Sequence, residues 1–557
     1  MLARLSGRLG GAADRWWFAV PVLALLMLAP SLLRGQPYVF YDTAQYYEYG
    51  AKLSGFALGR IAGAPGAPDR PAAAEPAGDP KGAPQAEGEG ERAGIAFYGA
   101  RSPFYSVWLY ALMRLLGVWA VPFTQAVAVG WLVWRLAVHA LPANRLAWAA
   151  GATALATLGG GAWFSVAFLM PDVYAAVALA GVALLFAYGD RMSLAERLGI
   201  AGLLAVSAVF HATHLVTAAA LCLAGLGVAW LTGSRKAPLP WRAAGLVASA
   251  VVLAVVAQLA YNAVARGVLG TSPKRPPFAM ARIIVDGPGR LYLAEHCGRD
   301  AAFAVCAYRD RPFKTTDDFL WEAEARGGVL HTVPLSERLR LIDEEMSFVL
   351  TVAAHYPFGV LRAAAANAIE QLTLVWPLEA WFDPGLLFGG DWRTARLLEA
   401  TPFIHACIAQ VGSCRLSLPE PLVRWTIAMI VVIAFATLGA HIVAAHRRGA
   451  AQGGGEDSPH QRAVVFALLI VAGLIVNAAV CGAISNPVHR YQTRVVWLAI
   501  VAAVMLEALR PIVLSRISRR NWETASPVSG VFERDQRARR EPSRLTGGSA
   551  RMKAGQL

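Results

Sequence analysis

Residues 16–33 read WWFAVPVLALLMLAPSLL, and residues 39–50, a few positions further on, read VFYDTAQYYEYG. The first run contains no charged residue and is long enough for a membrane-spanning helix. Arg4, Arg8 and Arg15 precede it, so the positive-inside rule predicts a cytoplasmic N-terminus and an outer position for residues 39–50. No small-residue cleavage site is apparent, and we interpret the run as a retained anchor rather than a signal peptide.

The composition favours a membrane protein. Of the 557 residues, 56% are hydrophobic and 16% are charged, whereas average usage is about 25% charged residues. The mean hydropathy is +0.45, and apolar runs of about 20 residues recur along the chain, which predicts an all-α, polytopic integral membrane protein. The formal net charge of +14 comes from basic residues dispersed beside those runs. This placement favours membrane topology and contact with membrane lipids, and no nucleic-acid partner is expected.

We expect about ten transmembrane helices. The apolar runs fall at about residues 16–33, 118–141, 147–168, 172–189, 198–212, 213–231, 243–265, 421–443, 463–484 and 493–512. Basic residues occupy every second connection, for example Arg145 and then Arg191 with Arg197, whereas the turns at 169–172 and 211–214 contain no Lys or Arg. The alternation predicts that the basic turns and both chain ends are cytoplasmic.

Composition divides the chain into four parts. They are an N-terminal transmembrane module with the first outer loop (1–265), an extracytoplasmic loop region with amphipathic surface helices (266–420), C-terminal transmembrane helices (421–512) and a basic cytoplasmic tail (513–557). Residues 61–94 are rich in Ala, Pro, Gly and Glu and are predicted to be a disordered insert. From Met346 to Trp376 the chain is half apolar but interrupted by polar residues, which favours surface helices over spans.

The cysteines indicate an oxidising compartment for residues 266–420. Cys297 and Cys306 are nine residues apart and Cys407 and Cys414 are seven apart, which predicts two local disulfides. Zinc is the rival interpretation, but neither pair has the close spacing of zinc ligands. The two cysteines within predicted spans, at positions 222 and 481, are interpreted as small apolar fillers.

Three acidic side chains lie at the predicted outer face. Asp42 is nearer the end of the first span than Glu48, and a separation of six places the two on different faces of a helix. The alternative is an interfacial aromatic belt, in which tyrosines anchor the helix end and the acids are solvated. Asp172 follows Pro171 at the start of a span, where helix capping is the alternative to a binding role.

Basic groups are predicted at the same face. His211 and His214 would share one face of a helix, and together with Glu48 they are candidate ligands for a metal or a phosphate, with ordinary helix-end histidines as the alternative. Arg490 and Arg494 occupy a position where short outer loops normally lack Lys and Arg. A spacing of four puts both on one helical face, and the guanidinium fork suits phosphate. The alternative for this pair is a structural ion pair with an outer carboxylate.

The order of these features resembles the GT-C class of integral-membrane glycosyltransferases, in the branch of the protein mannosyltransferases and the aminoarabinose transferase of lipid A. The resemblance covers about residues 16–190 and 463–512. It rests on YDTAQYY (41–47), RSPFYSVWLYAL (101–112) leading to LLG (115–117), Pro171-Asp172 and His489-Arg490-Tyr491.

The resemblance implies transfer of a sugar from a polyprenyl-phosphate-linked donor to a lipid-linked or envelope glycan acceptor. It assigns Asp42 the role of catalytic base, which takes the proton of the acceptor hydroxyl. The departing phosphate needs positive charge from the arginines or from a divalent metal, Mg or Mn, so the cofactor stays open. The expected location is a bacterial inner membrane with a periplasmic active site. The predicted substrate-binding residues are Arg101, Asp172, His489, Arg490, Tyr491 and Arg494.

Two other functions remain open. A transporter would place its charges near the bilayer midplane and often in paired repeats, whereas here they concentrate at one face. A non-catalytic membrane assembly protein would depend mainly on the long outer loop and would need neither Asp42 nor the arginines.

Overall fold

The apolar runs form helices, because a chain surrounded by hydrocarbon has to satisfy its backbone hydrogen bonds within each segment. The computed structural model describes residues 15–61, 101–231, 239–269, 273–298, 303–322, 324–384, 395–410, 414–451 and 458–525. Within these ranges the chain is helical apart from turns and a single β-bridge between Tyr38 and Phe168. Residues 62–94 of the predicted disordered insert, and the tail beyond residue 525, lie outside the described ranges.

Twenty α-helices are described. In chain order they are α1 Trp16–Arg34, α2 Tyr41–Ile61, α3 Pro103–Leu116, α4 Ala120–Ala140, α5 Arg145–Gly160, α6 Ala162–Ala167, α7 Val173–Tyr188, α8 Leu194–Phe210, α9 Ala212–Leu231, α10 Leu239–Leu269, α11 Phe278–Val285, α12 Pro288–His296, α13 Thr316–Trp321, α14 Leu335–His355, α15 Pro357–Thr373, α16 Ala395–Ala400, α17 Pro402–Ala409, α18 Glu420–Ala451, α19 Pro459–Ile484 and α20 His489–Ala525. Short 3₁₀ turns occur at Ala304–Tyr308, Glu324–Arg326 and Leu378–Trp381.

Seven of these helices are long and apolar enough to cross a membrane, and the chain is therefore a helical integral membrane protein. They are α1, α4, α9, α10, α18, α19 and α20. The helix α7 is apolar but shorter, and α14 and α15 together pass the same test as one bent element. The expected count of about ten spans stays a prediction.

The run predicted as one span at 147–168 is two helices, α5 and α6. Gly161 separates them with φ +76°, a left-handed backbone conformation that glycine adopts without steric cost. A Cβ at Gly161 would lie 2.9 Å from the Thr493 side chain. The break therefore brings α6 close to the first turns of α20.

The loop region predicted at 266–420 contains its own apolar core. Phe313, Phe319 and Phe348 are fully buried in it, and the predicted disulfide between Cys297 and Cys306 is confirmed beside it. The second predicted disulfide, Cys407–Cys414, is confirmed as well.

The helices α14 and α15 meet at a bend of 107° with Pro357 at the first position of α15. Exposed apolar side chains line α15, among them Phe358 and Leu361. Its other side packs closely on α19, since a Cβ at Gly482 would lie 2.6 Å from the carbonyl oxygen of Asn367. The bend is consistent with the expected surface helices, although the pair also has the length and composition of one broken span.

By backbone contacts, residues 1–507 form one compact unit, and a second unit begins at Ala508. All the predicted site residues belong to the first unit. The structure describes the second unit up to residue 525, and these residues belong to α20.

Candidate functional site

Backbone hydrogen bonds fix the segment that leads into α2. The Tyr38 N–H donates to the Ala167 carbonyl at 3.0 Å, and the Leu169 N–H donates to the Tyr38 carbonyl at 2.9 Å. The Thr43 hydroxyl continues the link, since it donates to the Leu169 carbonyl at 3.2 Å and accepts from the Phe40 N–H at 3.0 Å. The start of α2 is thereby held against the loop that precedes α7.

Asp42 lies in the first turn of α2 and is 9% exposed. Its two carboxylate oxygens have different arginine partners: Oδ1 accepts from Nη2 of Arg101, and Oδ2 lies 3.4 Å from Nη2 of Arg490. Arg101 is oriented by Gln45, whose Oε1 accepts from its Nε at 2.9 Å. Residues that are far apart in the sequence thus meet at one carboxylate.

Arg490 is held by its backbone and its aromatic neighbours. Its N–H donates to Oε1 of Glu379 at 3.1 Å, and its guanidinium lies over the Phe40 ring, 4.6 Å from the ring centre, a favourable cation–π arrangement. Its Nη1 is buried and has no hydrogen-bond partner among the residues that the structure describes. Because buried donors are rarely left unpaired, this atom marks a position where a ligand oxygen or a water fits.

A reciprocal amide pair positions the N-terminus of α20. The Gln371 side chain donates to the Val488 carbonyl at 2.9 Å and accepts from the Val488 N–H at 3.0 Å. Gln371 belongs to α15 and is itself completely buried. The helix α15 therefore sets the position of the residues that begin α20.

Arg494 forms a separate, more deeply buried network and is 1% exposed. Its Nη1 donates to Oδ1 of Asp172 at 3.2 Å, and its Nη2 lies 3.3 Å from Oδ1 of Asn477 and 3.2 Å from the Cys481 sulfur. Asp172 makes no side-chain cap to α7, so its carboxylate serves this ion pair instead of the capping role. The interpretation of Cys481 as an apolar filler is wrong, because its sulfur contacts a guanidinium.

We call Asp42, Arg101, Asp172, Arg490 and Arg494 the arginine–carboxylate cluster. It contains three guanidinium groups and two carboxylates. The Tyr491 ring lies between the two arginines of α20, 5.2 Å from Arg490 and 4.8 Å from Arg494. With both carboxylates ionised, the cluster keeps one positive charge, which favours an anionic ligand.

His489 lies at the edge of this cluster. Its ring packs on Trp376 with 3.6 Å between ring centres, and the Arg424 guanidinium lies over the same indole at 4.5 Å. The Nδ1 atom of His489 is buried, without a hydrogen-bond partner in the described ranges. His489, which is half-buried, thus offers a second open hydrogen-bonding position near Arg490.

The two histidines and Glu48 do not assemble into a metal site. The rings of His211 and His214 lie 5.1 Å apart, but Nδ1 of His211 contacts the Thr213 hydroxyl, and Nδ1 of His214 contacts the Ser207 carbonyl at 3.1 Å. Glu48 forms an ion pair with Lys52 at 3.7 Å.

Within the described part of the chain, no group of three or more His, Cys, Asp or Glu side chains has a geometry that could hold a metal ion. The oxygens of Asp42 and Asp172 also face arginines, so the donor set does not fit a protein-held divalent metal.

Two carboxylates near the cluster were missed by the sequence analysis. Glu379 is 8% exposed, and burial raises the pKa of its carboxyl group, with the Arg490 charge acting in the opposite direction. Burial also raises the pKa of Asp317, which is close enough to feel the charges of Arg490 and Asp42. Both lie in the region between residues 266 and 420, for which the sequence offered no motif.

A cavity of about 760 Å³ lies at the bend between α14 and α15. Its lining includes Asp286, His355 and Arg362 but none of the predicted site residues. The arginine–carboxylate cluster and this cavity are therefore separate features.

The fold and the cluster together define a helical membrane protein with a buried set of paired arginines and carboxylates. Comparison of the chain with models of protein families, with curated proteins and with solved structures finds no significant match.

Proposed function

We propose that the chain is a membrane glycosyltransferase that moves a sugar from a polyprenyl-phosphate donor to a hydroxyl of a lipid-linked or envelope glycan acceptor. The observation that carries the proposal is the pairing of Asp42 with two arginines, one of which, Arg490, keeps a buried donor atom that no described residue pairs with. A base beside an anion-binding group is what displacement at a sugar phosphate requires.

Binding of the donor phosphate would also free one oxygen of Asp42 to act as the base. The contact between Arg490 and Oδ2 of Asp42 is long, at 3.4 Å, whereas charge-assisted bonds are typically about 2.7–2.9 Å. A phosphate that takes the Arg490 guanidinium would leave Oδ2 of Asp42 open to the acceptor hydroxyl. Arg101 would continue to hold Oδ1 and so keep the carboxylate in position.

The reaction is a single displacement. The acceptor O–H bond breaks and its proton moves to Oδ2 of Asp42 while the acceptor oxygen bonds to the anomeric carbon. The bond from that carbon to the phosphate oxygen breaks, and polyprenyl phosphate leaves with the electron pair beside Arg490. The configuration of the anomeric carbon is inverted. Because the residues present do not fit a metal, no step depends on one.

The charge pattern supports an outer position for the site. In a topology of about ten spans with basic turns in the cytoplasm, the cluster would lie at the outer ends of the helices, level with the lipid head groups. We propose a bacterial inner membrane with the site on the periplasmic face, as the resemblance implies. A lipid-linked donor is then presented to the cluster from within the membrane.

The direct test uses purified full-length protein in lipid nanodiscs with a panel of polyprenyl-phosphate sugars and a bacterial envelope lipid extract that supplies the acceptor hydroxyl. Release of polyprenyl phosphate is followed by mass spectrometry. We expect Asp42→Asn to fold but to lose on the order of a hundredfold or more in rate, because an amide cannot accept the proton. Glu48→Gln, on the same helix, is the matched control and should keep most of the activity.

Near-normal turnover by Asp42→Asn would remove Asp42 from the chemistry. Transport of a labelled solute by proteoliposomes, without release of polyprenyl phosphate, would support a transporter instead. Full function in cells after Asp42→Ala would favour an assembly protein.

A further inference from the structure

Glu379 has a buried carboxyl group whose two oxygens differ in their hydrogen bonding. It belongs to the 3₁₀ turn Leu378–Trp381, which follows α15. Its Oε1 accepts the backbone N–H of Arg490 at 3.1 Å. Its Oε2 is buried and has no hydrogen-bond partner within the described part of the chain.

The surroundings of Glu379 differ from those of the other two acids of the site. Asp42 and Asp172 each contact an arginine side chain, whereas the hydrogen bonds that Glu379 accepts within the described part of the chain come from backbone N–H groups, those of Arg490 and of Glu379 itself. Burial of an ionised oxygen without a partner is strongly unfavourable. Accordingly, burial raises the pKa of the Glu379 carboxyl group.

Two charged side chains act on this carboxyl: Arg490 at the start of α20 favours its ionisation, and Asp172 before α7 opposes it. Arg490 also pairs with Asp42 of α2, Arg494 of α20 pairs with Asp172, and Asp317 feels the charges of Arg490 and Asp42. His489 and Arg424 pack on the nearby Trp376. A neutral Glu379 carries a proton that needs an acceptor, and an anion bound at Nη1 of Arg490 would supply one.

We propose that Glu379 is a ligand-binding residue that, in its neutral form, donates a hydrogen bond from Oε2 to an anionic oxygen of the ligand held by Arg490. The proton stays on Glu379 throughout. In its ionised form the same group repels the ligand and competes with it for Arg490. The proposal rests on the anion-binding part of the proposed function and not on the transfer of a sugar.

The charge of Glu379 determines how the affinity for the anion changes with pH. Below the pKa of Glu379 the group is neutral and the anion binds well. As the pH rises through that pKa, a negative charge appears beside Arg490, and the affinity falls.

The experiment measures binding of geranylgeranyl methyl phosphate to the purified full-length protein between pH 5 and pH 9. This phosphodiester probe keeps a single negative charge over the whole range, so any change in affinity comes from the protein. We expect the affinity of the wild type to fall about tenfold or more as the pH rises, since one bound proton is linked to binding. Glu379→Gln should bind with nearly the same affinity at every pH, because the amide is neutral and still accepts the Arg490 N–H.

Glu345→Gln is the matched control. Glu345 is also a buried carboxylate, 5% exposed, and accepts the Ala279 N–H at 2.7 Å, but it lies outside the cluster. This variant should keep the pH dependence of the wild type. Melting temperatures of both variants confirm folding.

Each of the other possible outcomes contradicts one specific statement. A wild type that binds the probe equally at all pH values would overturn the role of Glu379 even if Glu379→Gln failed to fold. A pH dependence retained in Glu379→Gln would assign it to another group, such as His489 or Asp317. An absence of binding at any pH would remove the anion site and Glu379 with it, whereas binding without sugar transfer would contradict only the proposed function.

Discussion

Arg490 and Arg494 are one turn apart on the same helix but have different partners. Arg490 has a long contact to Asp42 and an Nη1 that is unpaired within the described part of the chain, whereas Arg494 contacts Asp172, Asn477 and Cys481. Arg494 therefore has the structural ion pair that was the alternative interpretation of both arginines. Arg490 is the better candidate for binding an anion.

The two arginines should respond differently to substitution. We expect Arg490→Ala to weaken donor binding by about 1.5–3 kcal/mol, the value of a hydrogen bond to a charged group, with little change in melting temperature. Arg490→Lys should also weaken binding, because it keeps the charge but loses the paired donors. Binding of a polyprenyl phosphate and thermal unfolding are measured on the same purified variants. Unchanged affinity in both variants would remove Arg490 from the anion site.

Arg494→Ala should instead reduce stability. It leaves Asp172 buried without its partner, and breaking a buried pair typically costs about 3–5 kcal/mol. The double variant Arg494→Ala/Asp172→Asn should recover part of the lost stability, because no unpaired charge remains. Equal melting temperatures for wild type and Arg494→Ala would show that the pair is not structural.

At the scale of single elements, the contact between α15 and α19 controls the position of the cluster. The helix α15 carries Gln371, which holds Val488, and the turn after it carries Glu379, which holds Arg490. At Gly482 the backbones approach so closely that no side chain fits between them. A displacement of α15 would consequently move the start of α20.

Gly482→Ala should therefore destabilise the protein and weaken donor binding together. The new Cβ would meet backbone atoms of Asn367 and Ala368 at 2.6–2.9 Å, and overpacking of this kind costs about 1–3 kcal/mol. Gly439→Ala in α18 is the control, since its Cβ would meet nothing within 4 Å, and alanine in a helix is otherwise stabilising. A melting temperature of Gly482→Ala at or above that of Gly439→Ala would contradict the close approach.

The helices were largely predictable from the sequence, whereas the partners of the charged side chains were not. Apolar runs locate most helices because hydrophobic length follows directly from bilayer thickness, and the spacing of Cys297 and Cys306 indicated their disulfide. The break between α5 and α6 at Gly161 was missed because hydrophobicity does not reveal that a residue within an apolar run has a left-handed backbone conformation. The pairing of Asp172 with Arg494 depends on the packing of distant helices, which local patterns do not contain. Glu379 was missed because it lies in a short turn without a recognisable motif.

At the scale of the whole molecule, the charge pattern and the disulfides lead to one prediction of topology. The region that contains Cys297 and Cys306 should share a side of the membrane with Asp42. After mild reduction of intact spheroplasts, a membrane-impermeant thiol reagent should label these two cysteines. A variant with both replaced by serine is the control for labelling elsewhere. Labelling of this pair only after lysis would reverse the arrangement.

The link between Tyr38 and the segment 167–169 runs through main-chain atoms alone. These two hydrogen bonds need only a backbone N–H at positions 38 and 169. They therefore exclude only proline, which lacks the N–H, from those positions. A side-chain replacement at either donor position therefore leaves both hydrogen bonds available. Main-chain bonds thus tie the chain just before Asp42 to the chain just before Asp172.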